Sequence, residues 1–127
     1  TSNTTSLAAR VRAANAWPAD YFISIHANAN TDPVVNGTEV YVYRKYTQSY
    51  YLAQHILSAI VDVVGTRDNG VRVNPSLYVL RRTNMPAVLV ELAYVTNAGD
   101  AEKLETMQPE FARGIYEGLL SYFGLDQ

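Results

Sequence analysis

The feature that most constrains this chain is its alternation of short, almost wholly apolar strands with longer segments of helical period. Tyr21-Phe22-Ile23-Ser24-Ile25-His26 and Ala87-Val88-Leu89-Val90 are rich in β-branched and aromatic residues, as strands covered on both faces are. Tyr51, Leu52, Ile56, Ala59, Ile60 and Val63 recur at helical spacing from about Thr47 to Val64, with Gly65 as a left-handed terminator. Phe111, Ala112, Ile115, Tyr116, Leu119 and Leu120 form a second such stripe between Pro109 and Gly124. A first helix is predicted from Ser6 to Asn15, carrying Leu7, Val11 and Ala14, capped by Thr5 or Ser6 and ended by Pro18. A strand is expected over Thr38 to Arg44, a turn at Asp68-Asn69-Gly70 and a short strand over Leu77 to Leu80. Thr83 to Pro86 is read as a connection, and Glu91 as the residue that closes the strand begun at Ala87. The pattern predicts an α/β sandwich, a central and mostly parallel sheet with helices on both faces, forming one domain over residues 1–127.

Composition narrows the chemistry. Ten Lys and Arg against twelve Asp and Glu give a net charge of -2, so the basic footprint that neutralises nucleic-acid phosphates is missing. The chain has no cysteine, which leaves His, Asp and Glu as the side chains for any metal. Its longest apolar runs, such as Ala87 to Val90, fall far short of the roughly 18–20 residues that span a bilayer. The opening Thr-Ser-Asn-Thr-Thr has no leader pattern, so targeting signals leave localisation open.

In open α/β sheets the active crevice lies beyond the carboxyl ends of the strands, where His26 and Glu91 are both expected. His26 has two readings, a satisfied structural histidine or a metal ligand, and the small polar run Ala27-Asn28-Ala29 favours approach of a ligand. Glu91 follows Val88-Leu89-Val90, so poor solvation is expected to raise its pKa toward the range of a general base; the alternative is a strand-end cap or a partner for Arg81 or Arg82. Asn28 suits either a substrate amide or an Asx turn. Arg81 could fork onto a substrate carboxylate or form a structural ion pair, and Glu39 is expected only to cap or pair. His55 lies on or beside an apolar stripe, where packing is the ordinary outcome. Tyr51 and Tyr116 are expected in the core, and Tyr41, Tyr43 and Tyr46 as surface contacts.

Several blocks in order carry a family resemblance: Ser24-Ile25-His26-Ala27-Asn28-Ala29, Gly37-Thr38-Glu39-Val40-Tyr41, Val79-Leu80-Arg81, Met85-Pro86-Ala87-Val88-Leu89-Val90-Glu91-Leu92 and Val95-Thr96-Asn97. They resemble the catalytic domain of the zinc-dependent N-acetylmuramoyl-L-alanine amidases (amidase type 3), over essentially the whole chain. The resemblance implies a zinc-hydrolase-like three-layer sandwich that cleaves the amide between N-acetylmuramic acid and L-alanine of the peptidoglycan stem peptide, acting outside the cytoplasm. It makes His26 a zinc ligand and Glu91 the catalytic glutamate, with Asn28 and Arg81 as substrate-binding candidates. The family's first histidine and its ligand glutamate have no counterpart here, nor has its N-terminal strand and helix. The missing donors are therefore expected from another segment or chain. Two rival expectations remain: a non-catalytic relative that binds peptidoglycan or a partner protein, and a zinc carboxypeptidase on a related scaffold.

Overall fold

A computed structural model describes residues 6–126. In chain order its elements are α1 (Leu7–Ala16), β1 (Phe22–Asn28), β2 (Thr38–Val42), α2 (Gln48–Val64), β3 (Asp68–Val73), α3 (Tyr78–Arg82), β4 (Ala87–Tyr94), α4 (Ala98–Thr106) and α5 (Gln108–Tyr122). The four strands form one sheet in the order β1-β4-β2-β3. The pairs β1–β4 and β2–β3 are parallel, and the two halves meet antiparallel at β2–β4.

Helices cover both faces, as the apolar strands require. On one face Leu52, Ala53, Ile56, Leu57 and Ile60 of α2 and Phe111 of α5 pack on Val40, Val42, Val88 and Val90. Each fully buried aliphatic side chain contributes about 1.5–3 kcal/mol, so this layer is the main source of stability. On the other face Val11 of α1 and Val79 and Leu80 of α3 pack over Ala87 and Leu89, with Phe22 and Tyr41 beside them. Local chemistry fixes the helix ends. Ser6 caps α1 by accepting the Ala9 N–H at 3.0 Å, Thr47 caps α2, and Gly65 ends α2 at φ 82. Thr5, the other cap candidate, lies outside the described residues.

Several expectations are corrected. Leu77 to Leu80 is not a strand: Tyr78–Arg82 is a short helix whose Val79 and Leu80 are buried against β4. Asp68-Asn69-Gly70 is not a turn between elements but the start of β3. Thr38 pairs with Asp68 and Val40 with Val71, so Asn69 and Gly70 stand opposite the single residue Glu39 in a β-bulge, and Gly70 supplies its left-handed φ of 87. Glu91 does not end its strand, because β4 runs on to Tyr94, which pairs with Asn28 of β1; His26 likewise lies two residues inside the end of β1. Helix α4, capped by Asn97 accepting the Asp100 N–H, lacks an apolar stripe and was not expected. Tyr51 is 46% exposed and Tyr116 60%, so neither is core. The buried stripe of α2 starts at Leu52, and one residue is about 100° around a helix, enough to turn Tyr51 out to solvent.

Candidate active site

Register brings the chemistry together. His26 on β1 is the strand partner of Glu91 on β4, and Glu91 is the partner of Glu39 on β2. Residues in register project to the same face, here the α1–α3 face, whose packing covers Ala87 and Leu89 nearer the start of β4. A second bulge follows: the register shifts between His26 and Asn28, so that β4 carries an extra residue beyond Glu91. Bulges of this kind re-aim side chains beside active sites.

His26 is half-buried, and its Nε2 is 2.8 Å from Ser24 Oγ on the same strand face. Burial, and secondly the positive charge of Arg10, hold the imidazole below its ordinary pKa. It is therefore neutral at pH 7, the form that can offer a lone pair to a metal. Glu91 is also half-buried, and its Oε1 is enclosed with no hydrogen-bond partner among the described residues. Burial first and the charge of Glu39 second raise its pKa from 4.5 to about 7.

Glu39 is fully buried and collects five donors. Tyr41 Oη donates to Oε2 at 2.6 Å, Arg72 at 3.2 Å and Asn28 Nδ2 at 3.3 Å, while Tyr94 Oη donates to Oε1 at 2.9 Å and Asn69 Nδ2 at 3.2 Å. A buried carboxylate is stable only when its lone pairs are filled in this way. The β3 bulge is what aims Asn69 at it. Burial and the bond to Glu39 raise the phenol of Tyr94 to about 12 and push that of Tyr41 up as well, so both stay protonated donors at neutral pH.

The predicted residues thus divide. His26 and Glu91 come together, and Asn28 lies beside them, with its Nδ2 on Glu39 and its Oδ1 accepting the Ala29 N–H at 2.9 Å. Arg81 does not join them. It lines a separate cavity of about 340 Å3 with Arg44, Thr47, Ser49 and Thr83, at the Ala87 end of β4. His55 lies on the opposite side of the sheet, its Nδ1 2.7 Å from Ser121 Oγ between α2 and α5, which matches the packing reading. Tyr43 and Tyr46 are exposed, but Tyr41 is turned inward to Glu39. Among the described residues no group of three His, Cys, Asp or Glu side chains could hold a metal.

Glu39, far from a mere cap, is the hub that sequence reasoning missed, together with Tyr94, Asn69 and Arg72. One signal was present: a charged residue in an otherwise buried strand, sharing a face with Tyr41 two residues on.

Residues 1–121 match the protein family described as N-acetylmuramoyl-L-alanine amidase. The chain is 42% identical over 122 residues to N-acetylmuramoyl-L-alanine amidase LytC of Bacillus subtilis, covering 93% of this chain and 24% of that protein. It is 41% identical over 129 residues to N-acetylmuramoyl-L-alanine amidase CwlM of Bacillus licheniformis, covering 98% of this chain and 49% of that protein. The crystal structure of N-acetylmuramoyl-L-alanine amidase from Clostridium difficile superposes with a TM-score of 0.87 at 38% identity, over 96% of this chain and 67% of that one. The chain therefore spans a quarter to a half of these two sequence relatives and two thirds of the solved structure.

Proposed function

The chain belongs to the N-acetylmuramoyl-L-alanine amidase family, and from that premise we propose that the protein carrying it hydrolyses the amide between N-acetylmuramic acid and L-alanine of the peptidoglycan stem peptide. The observation that carries this reading is Glu91: a carboxyl raised to about 7, in register with His26, on a face that α1 and α3 cover nearer the strand's start. A carboxyl poised near working pH can take a proton from the attacking water and hand it to the leaving amine. Glu39, locked by its five donors, is a fixed negative charge that supports the high pKa of Glu91. Cell-wall substrate implies action outside the cytoplasm, and among the described residues no helix is long and apolar enough to cross a membrane.

Zinc is the metal the resemblance implies. His26 suits it as one donor, being neutral and next to the enclosed, unpartnered Glu91 Oε1. Catalytic zinc takes three protein ligands, and the described residues supply no such group. We therefore assign the remaining donors to another segment or chain. Arg81 keeps its proposed role toward a carboxylate only for a part of the substrate remote from the scissile bond, because Glu91 lies four residue steps along the strand from Ala87, roughly 13 Å.

The test is release of stem peptide from purified peptidoglycan by a chain carrying the family's two further ligand blocks, with new amino termini counted and bound zinc measured. Glu91→Gln should retain zinc and lose turnover by about 10²–10⁴-fold, the contribution of a positioned general base. His26→Ala should lose metal and activity together. Full turnover in Glu91→Gln would make that glutamate structural. Zinc-loaded wild type that binds cell wall without releasing peptide would replace the amidase reading with a binding module. The shortage of donors among the described residues is the observation that favours this second reading for the chain alone.

A further inference from the structure

We propose that the cavity between the β2–α2 connection and α3, lined by Tyr43, Arg44 and Arg81, is a binding site for a phosphorylated sugar. The inference goes beyond the amidase reading, since it needs neither zinc nor the scissile amide. The cavity lies at the Ala87 end of β4, away from His26 and Glu91. Charge is the first observation. Residues 40–61 and 69–90, which supply the whole lining, contain five Lys and Arg and no Asp or Glu, in a chain whose net charge is -2. Arg72 is spent on Glu39. Arg44 and Arg81 both line the cavity, both are exposed, and neither has an ion pair among the described residues. Two like charges on one concave wall, with no acid between them, repel until an anion joins them.

Arg44 is pre-organised for such an anion. Its guanidinium lies over the Tyr43 ring, 5.4 Å from the centroid, and its carbonyl accepts the Thr47 hydroxyl at 3.2 Å. A stacked guanidinium keeps its N–H edge free for a ligand. A carboxylate presents two coplanar oxygens and one charge, which a single fork fills. A phosphate monoester carries about -1.5 to -2 charge at pH 7 and three acceptor oxygens, so forks from two separate segments can share it.

A phosphate alone leaves most of the space empty. The cavity is about 340 Å3, within the range of roughly 300–1,000 Å3 of small-molecule sites. The rest of its lining is of two kinds: the Tyr43 ring, Leu80 and Met85 are apolar, while Thr47, Ser49 and Thr83 present hydroxyls. Ser49 Oγ accepts the Ala87 N–H at 3.0 Å and has no acceptor of its own among the described residues, so its O–H is left to donate. Thr83 Oγ1 donates to the Val79 carbonyl at 2.8 Å, which leaves its lone pairs to accept. A body with an apolar face and a rim of groups that both donate and accept is a sugar ring.

The experiment titrates the 127-residue chain with glucose 6-phosphate, glucose, glucuronate and inorganic phosphate, followed by backbone-amide NMR shifts. Glucose 6-phosphate should bind at least about tenfold more tightly than each of the other three, with the shifts centred on the two segments that line the cavity. Arg44→Gln and Arg81→Gln should each weaken it about tenfold, and Tyr43→Leu should remove its advantage over inorganic phosphate. Arg67→Gln, which removes the same charge outside the cavity, should leave it intact. All three cavity variants replace exposed side chains, and their amide spectra show whether the fold is kept. Methyl glucoside 6-phosphate, whose anomeric carbon is blocked as in a glycan, separates the two sources of such a ligand: equal binding supports a chain-end unit and weaker binding a free sugar phosphate. No binding of glucose 6-phosphate, equal binding of glucuronate or inorganic phosphate, shifts confined to other residues, or unchanged affinity in both arginine variants would each overturn the proposal. An equal loss in Arg67→Gln would also overturn it, as a general response to net charge. Peptide release does not enter the readout, so failure of the amidase reading leaves this site standing, and failure of this site leaves the amidase reading standing.

Discussion

Glu91→Gln should flatten the pH dependence of stability in a defined direction. The carboxyl is raised from 4.5 to about 7 because burial and the charge of Glu39 disfavour its ionised form in the fold. An acid whose folded pKa exceeds its unfolded one binds its proton more tightly when folded. Its stabilising contribution is complete below about pH 4.5 and is lost as pH rises through about 7. One pKa unit is worth about 1.4 kcal/mol, so the unscreened shift would give roughly 3 kcal/mol. Glu91 is only half-buried, and screening reduces the expectation to about 1–2 kcal/mol. Glutamine keeps the volume and removes the titration. Urea unfolding of wild type and Glu91→Gln at intervals from pH 4.5 to 8 isolates this term, since every other ionisable group is common to both. Wild type should lose about 1–2 kcal/mol relative to the variant between those limits. Stability curves that run parallel would show that Glu91 titrates at its ordinary value and would remove the main physical support for its role as base.

The interface of α2 and α5 gives a second expectation: a Cβ at Gly118 would lie 2.6 Å from Ile56 Cα and 2.9 Å from the His55 carbonyl, so Gly118→Ala should cost about 1–3 kcal/mol despite alanine's better helix propensity. A raised or unchanged urea midpoint would refute it. Asp100 is buried and accepts the N–H groups of Gly37 at 2.8 Å and Tyr94 at 2.9 Å, so Asp100→Ala should destabilise by about 2–5 kcal/mol and speed amide exchange at Gly37 and Tyr94. Exchange rates left unaltered at both would contradict that. Ile60→Ala should cost about 2–5 kcal/mol, since Ile60 is fully buried, whereas Tyr51→Ala on the exposed flank of the same helix should cost less than about 1 kcal/mol. Equal losses measured by urea unfolding would mean the buried face of α2 is misplaced.

What the sequence by itself determined is whatever depends on neighbours along the chain. The helical period of Leu52, Ile56 and Ile60 places α2, Thr47 and Gly65 bound it, and the apolar runs at Phe22 and Ala87 mark two strands, because caps and amphipathic spacing act within a few residues; only the Ala87 run is buried, since β1 lies at the sheet edge with Ile25 52% exposed. The ordered blocks around His26 and Glu91 also identified the family, and the two residues stand opposite each other in register although neither is terminal. Tertiary structure decided the rest. Whether Leu77 to Leu80 extends or coils depends on which surface buries Val79 and Leu80, and a five-residue segment carries too little local preference to choose. Asp68-Asn69-Gly70 has turn chemistry, yet pairing with β2 converts it into a bulge. Glu39 shows the limit most clearly. Its donors come from residues 28, 41, 69, 72 and 94, most of them far apart in sequence, and a buried carboxylate acquires these neighbours, and its place beside Glu91, only when four strands are laid side by side in register.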